Sequence, residues 1–69
     1  MTPRQVFWHN LLADVAALRV GECVDRNYGD ARLVGEIRSQ IGGAWRAYLP
    51  GSTYHVRLAN GAARITRTA

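Results

Sequence analysis

Lysine is missing from this chain; all nine of its basic residues are arginine. Cationic chemistry must therefore come from guanidinium groups, planar donors that grip carboxylates and phosphates in bidentate pairs, and not from lysine-rich tracts. Cysteine is nearly missing too. Cys23 has no second thiol to meet, which excludes an internal disulfide and makes a reducing, cytoplasmic setting the expectation. Long hydrophobic runs are absent: the most apolar region is interrupted by Asp14 and Arg19, well short of the ~20 residues a membrane span needs, and no basic start leads into an apolar stretch. A soluble protein with no membrane partner is expected.

The residues that carry catalysis are equally sparse. A nucleophile would have to be Ser39, Ser52 or Cys23, and a base His9 or His55, with no nucleophile-elbow sequence joining any of them. Two histidines and one cysteine far apart make a poor zinc set, and no strand, glycine loop and lysine stand in the order that cradles a phosphate. The expectation is a protein that is not an enzyme, with no catalytic residue, no metal and no cofactor.

Acid is missing from one half only. Residues 1–36 hold four arginines against five acids, a balance of −1, whereas residues 37–69 hold Arg38, Arg46, Arg57, Arg64 and Arg67 with no acid at all. The whole net charge of +4 therefore arises in the C-terminal half. Clustered guanidinium groups of this kind steer anionic partners.

At 69 residues, 48% of them hydrophobic, the chain fits one small domain spanning 1–69, near the lower limit for a core without staples. The candidate core is Phe7, Trp8, Leu11, Leu12, Val15, Leu18, Val20, Val24, Leu33, Val34, Ile37, Ile41, Trp45, Tyr48, Leu49, Tyr54, Val56, Leu58 and Ile65.

The clearest local pattern lies at the end, in Ser52 to Thr68. Asn60-Gly61 suits a two-residue type I′ turn, whose central positions both need positive φ. That turn sets Ala59 against Ala62, Leu58 against Ala63, Arg57 against Arg64, Val56 against Ile65, His55 against Thr66 and Tyr54 against Arg67. Strand alternation then puts Leu58, Val56 and Ile65 on a greasy face, and Arg57, Arg64 and His55 on a basic one. A one-residue slip would mix the two, so the register supports itself. Arg57 opposite Arg64 is a like-charge pair that costs stability unless an anion or carboxylate lies between them.

Thr2-Pro3-Arg4-Gln5 has the makings of a capping box with proline at the first helical position, and Phe7, Leu11, Val15 and Leu18 follow at helical spacing, predicting an amphipathic helix over roughly 3–18. Alternation from Leu18 to Val24 predicts a short strand, ended by a polar turn from Asp25 to Gly29, with Gly21 at the bend. Two readings fit Asp30 to Leu49. As a helix capped by Asp30, it gathers Leu33, Val34, Ile37, Ile41, Ala44, Trp45, Tyr48 and Leu49 within about 160° of arc, at about 1 kcal/mol for each of Gly42 and Gly43. As a strand pair turning at Gly42-Gly43-Ala44, it sets Ile41 against Trp45 and Ile37 against Leu49. The fold class is α+β: an N-terminal amphipathic helix, a short strand, a second helix or strand pair, and a C-terminal hairpin in a small antiparallel sheet.

The order Leu18-x-Val20-Gly21-Glu22, then a helical stretch, then an aromatic-led hairpin ending in Arg64-x-x-Arg67 resembles small accessory proteins carried by phages and mobile elements. The likeness spans residues 18–67 loosely. Such proteins include DNA-binding factors and inhibitors of host defence, anti-CRISPR proteins among them, so the resemblance implies binding and not catalysis. Leu49-Pro50 with Tyr54-x-Val56-x-Leu58-x-Asn60-Gly61 is also similar to the first hairpin of the S1-type OB fold in bacterial translation initiation factor one. That fold needs strands beyond the hairpin, and only about eight residues follow Gly61.

The expected role is an interaction or inhibitor module that docks through its basic hairpin face onto an acidic protein surface or a ribonucleoprotein complex. The binding residues are Arg57, Arg64, His55, Arg67, Arg46 and Arg38, with Tyr28, Tyr48 or Trp45 as anchors. The alternative is a small nucleic-acid-binding protein that sets the same arginines on phosphates. Either a monomer or a homodimer formed by sheet extension fits.

Overall fold

Thr2 and Gln5 start the first helix by the reciprocal bonds their spacing predicts. The Thr2 hydroxyl accepts from the Gln5 amide at 3.2 Å, and the Gln5 side chain accepts from the Thr2 amide at 2.8 Å. In the computed structural model, which describes residues 1–26 and 30–69, helix α1 runs Pro3–Ala16. Its apolar stripe buries Leu11 and Val15 completely, and Leu18 follows them into the core just beyond the helix.

The chain then turns sooner than its alternation predicts. Arg19 to Glu22 close a tight turn: the Glu22 amide donates to the Arg19 carbonyl at 3.0 Å, and the Arg19 amide donates to the Glu22 carboxylate at 2.7 Å. Gly21 supplies the positive φ of 89° that the turn requires. Gly21 and Glu22 together face Arg67, the Gly21 amide donating to its carbonyl and its amide donating to Glu22, which is a β-bulge. The first strand, β1, is consequently Cys23–Arg26 and not Leu18 to Val24. Val20 falls in the turn and stands 62% exposed, so it leaves the expected core, and Asp25 lies in the strand and not in a turn. The rest of the predicted polar turn, residues 27–29, lies outside the described residues.

Helix α2 is Ala31–Gly42, with Asp30 as its N-cap accepting from the Leu33 amide at 2.8 Å. The helical reading of this segment therefore holds, and the strand pair does not form. The helix nevertheless stops at Gly42 instead of continuing to Leu49, and a separate 3₁₀ turn, Ala44–Ala47, follows. This break redirects the stripe. Leu33, Val34, Ile37, Trp45 and Leu49 are buried, but Tyr48 is 66% exposed and is no part of the core.

Strands β2, Tyr54–Ala59, and β3, Ala62–Arg67, pair in the register that Asn60-Gly61 dictates, from Ala59 with Ala62 to Tyr54 with Arg67. Both turn residues have positive φ, 52° and 76°. β1 adds antiparallel to the other side of β3, with Val24 opposite Ile65 and Asp25 opposite Arg64, giving the order β1-β3-β2. The helices pack on the face that carries Val24, Val56 and Ile65. Leu11, Val15, Ile37 and Ile65 are sealed there, each such side chain contributing about 2 kcal/mol by leaving water. Ala62 and Ala63 are buried as well, missed by a core list chosen for size, and Leu58 at the end of β2 is 45% exposed. Trp8 packs edgewise against Trp45 at 6.0 Å and against Phe7 at 5.4 Å, joining α1 to the 3₁₀ turn. Arg26 pairs with Asp14 and ties β1 to α1. Among the described residues no helix is long and apolar enough to cross a membrane.

The two glycines at the break in α2 should respond oppositely to alanine. A Cβ on Gly42 meets nothing within 4 Å, whereas one on Gly43 would lie 3.0 Å from the Ser39 carbonyl oxygen, which is backbone and cannot yield. Gly42→Ala is expected to stabilise the fold by about 0.5 kcal/mol, raising the melting temperature by about 2–4 °C, and Gly43→Ala to lower it, both read by thermal denaturation followed by circular dichroism.

Candidate functional site

All the helices lie on one side of the sheet, so among the described residues its other face is covered by no element. Strand alternation brings to that face the Ala59–Ala62 pair beside the turn, Ala62 being buried, and two rows that carry polar side chains. One is Cys23, Thr66 and His55; the other is Asp25, Arg64 and Arg57. Cys23, His55 and Arg57 are exposed, and Thr66 and Arg64 half-buried.

The second row is an electrostatic sequence read across three strands. Asp25 takes the Arg64 guanidinium in a bidentate grip, with Nε to Oδ1 at 2.8 Å and Nη2 to Oδ2 at 3.0 Å. Those hydrogen bonds hold the Asp25 carboxyl below its ordinary value of 3.8; loss of hydration opposes them, and the charges of Arg64 and Arg57 add to them. Arg64 is raised in return, first by its bond to Asp25. A carboxylate does relieve the like-charge pair, but it stands on the far side of Arg64. Arg57 has only Arg64 as its charged neighbour in the row, and it makes no ion pair among the described residues.

The remaining expected site residues separate. Arg67 projects from the opposite side of β3, where its guanidinium donates to the Leu18 carbonyl at 2.9 Å and to the Ala69 carbonyl at 3.1 Å. It secures the crossing after α1 and does not join the basic face. Arg38, on α2, donates to the Val56 carbonyl at 2.7 Å along the edge of β2, beside His55. Arg46 lies on the 3₁₀ turn and lines a different cleft with Ile41, Leu49 and the segment 50–53. Of the three anchor candidates, Trp45 is 6% exposed and unavailable, Tyr48 is open to solvent, and Tyr28 lies outside the described residues. The structure thus gathers Arg57, Arg64 and His55 on one face, with Arg38 at its border.

Asp25 is the site residue that sequence reasoning missed. Its signal was present in the polar stretch after Val24, but the alternation from Leu18 placed the strand too early, so its register against Arg64 was out of reach. No aromatic side chain stands on either row, and among the described residues no group of three or more His, Cys, Asp or Glu side chains could hold a metal ion.

The depressed Asp25 value sets a pH dependence whose sign is fixed. Its contribution to stability is present in full above the unfolded-state value and is lost as pH falls through the lower folded-state value. Asp25→Asn is expected to remove that part of the acid sensitivity, flattening the loss of stability below about pH 4 in urea midpoints measured from pH 7 to pH 2. Stability at pH 7 falls in the same variant, because Arg64 and Arg57 then face each other without a carboxylate.

Compared with protein-family models, with curated proteins and with solved structures, the chain matches none.

Proposed function

We propose that this chain is a non-catalytic docking module whose open sheet face, centred on Arg57 with His55 and the fixed Arg64, meets an acidic surface of a larger protein complex. The observation that carries the reading is the position of Arg57. It is exposed, it opposes Arg64 across the hairpin, and Asp25 is committed to the other side of that residue. A cross-strand pair of like charge lowers stability, and a glutamate there would complete an alternating row; the arginine that stands there instead leaves its guanidinium free for a group outside the fold.

The bidentate pair beside it is a preorganised neighbour. Arg64 is held planar and oriented, so an incoming carboxylate meets one free guanidinium next to one fixed one, at a small entropic cost. The likeness to small phage and mobile-element accessory proteins gives the docking a direction, inhibition of a nucleic-acid-handling host-defence complex. A protein partner is favoured over direct nucleic-acid binding because neither row of the face carries an aromatic on which a base could stack.

Two measurements test this. Arg57→Glu is expected to raise the melting temperature by about 2 °C while abolishing capture of the protein species that the wild-type chain retains from its native cells. In parallel, binding to generic duplex and single-stranded oligonucleotides is expected to stay weak at low salt. Tight oligonucleotide binding that weakens about 10³-fold or more between about 50 and 200 mM salt, and is lost in Arg57→Ala with Arg64→Ala, would replace the protein-docking reading with the nucleic-acid one.

A further inference from the structure

We infer that the free edge of β2 accepts a further strand, an extended acidic segment of the partner protein, with Arg38 as the guard it displaces. This rests on the docking reading above and specifies how the partner binds.

Among the described residues, the sheet order β1-β3-β2 leaves β2 with no strand on one side along all of Tyr54–Ala59. In a hairpin closed by a two-residue turn, the pair beside the turn exchanges hydrogen bonds and every second pair after it does the same. The backbone groups of Leu58, Val56 and Tyr54 are therefore turned toward the open edge. Arg38 confirms this for Val56, whose carbonyl it reaches from α2 at 2.7 Å. A charged side chain laid over an edge carbonyl is one of the ways proteins keep a free strand from pairing indiscriminately.

The space beside the edge is open. A cleft of ≈ 290 Å³ is lined by Arg38, Ile41 and Gly42 of α2 and by Tyr54, His55 and Val56 of β2. Gly42 contributes no side chain to fill it. A strand laid there would direct alternate side chains to the two faces of the sheet. On the inner side they meet half-buried Ile41 and exposed Leu58; on the outer side they meet His55 and Arg57. The matching segment alternates apolar and acidic residues. No acid anywhere in residues 37–69 competes for these arginines. The incoming amide takes over the Val56 carbonyl, and the released Arg38 guanidinium becomes a second donor for the segment's carboxylates.

The test uses the full chain, ¹⁵N-labelled, titrated at low salt with a short synthetic peptide of alternating glutamate and valine, with a control peptide of the same charge in which proline replaces valine, and with a duplex oligonucleotide. Proline keeps the charge but removes ladder donors. The expected result is amide shifts and slowed hydrogen exchange confined to residues 54–58, about tenfold weaker binding of the proline peptide, and a similar loss in Arg57→Glu. Equal binding of the two peptides, with shifts spread over Cys23, Asp25, Arg64 and Thr66, overturns the edge site and leaves docking by the open face standing. Failure of both peptides to bind overturns the edge site, and the docking reading falls with it only where the wild-type chain also captures no protein species from its native cells. Perturbation of the same amides by the oligonucleotide alone hands the edge to nucleic acid, and protection of residues 54–58 that grows with protein concentration before any peptide is added assigns the edge to a second copy of the chain.

Discussion

Two residues in the left-handed region, Asn60 and Gly61, decide what each face of the sheet presents. Their turn fixes the pairing of β2 with β3 to the residue, and because side chains alternate, a shift of one position would exchange the two faces completely. With the observed register Val56 and Ile65 enter the core together, while Arg57 and Arg64 leave it together. The core and the basic face are thus one decision. Burial of Val56 and Ile65 excludes a slip of one residue, and the Asn60-Gly61 turn excludes a slip of two, so the two together impose the like-charge contact on the opposite face.

This coupling explains why the hairpin was readable from the sequence and β1 was not. Asn60-Gly61, the greasy pairs and the basic pairs all agree, so local and tertiary preferences point the same way. At Leu18 to Val24 they conflict. Alternation favours a strand there, but Gly21 makes a turn held by the Glu22 carboxylate on the Arg19 amide, and pairing with β3 begins only after the bulge opposite Arg67. A bulge arises from where two strands meet, which periodicity within one of them does not record. The same holds for α2. Its stripe continues smoothly through Gly42 and Gly43, and what ends the helix is the backbone of Gly43, which leaves the helical region at φ −126° and ψ −106° while its amide donates to the Gln40 carbonyl at 3.1 Å, a change of backbone that the hydrophobic pattern does not record. The arginines of the second half were visible as a set; which of them are occupied was not, because Arg67 and Arg38 are claimed by main-chain carbonyls that no side-chain pattern reveals.

The nine arginines therefore divide by what they satisfy. Arg26 and Arg64 meet carboxylates, Arg4 and Arg32 share Glu36, Arg38 and Arg67 meet backbone oxygens, and Arg19, Arg46 and Arg57 make no ion pair among the described residues. Arg26, Arg38, Arg64 and Arg67 thereby tie separate elements together in a chain near the lower size limit for a core without staples. The net +4 already subtracts the paired carboxylates, and an arginine on a backbone oxygen keeps its charge; what narrows on the open sheet face is the set of guanidinium groups free to take an incoming carboxylate, which is Arg57 beside the fixed Arg64.

A face with one free guanidinium favours a partner that supplies a placed carboxylate over one that supplies a uniform line of phosphates. Affinity for a polyanion grows with the number of charges neutralised, and a single free arginine next to an anchored pair neutralises few. Specific contact with a protein has the opposite requirement: one or two well-oriented donors, little competing charge, and an adjoining backbone edge that supplies hydrogen bonds independent of charge. β2 offers that edge on the strand that carries Arg57, and α2 ends beside it at Gly42, leaving room where a longer helix would have placed side chains. The break that ends α2 early thus shapes the cleft along the edge, and it links the packing of the Gly42-Gly43 pair to the surface on which the proposed partner lies.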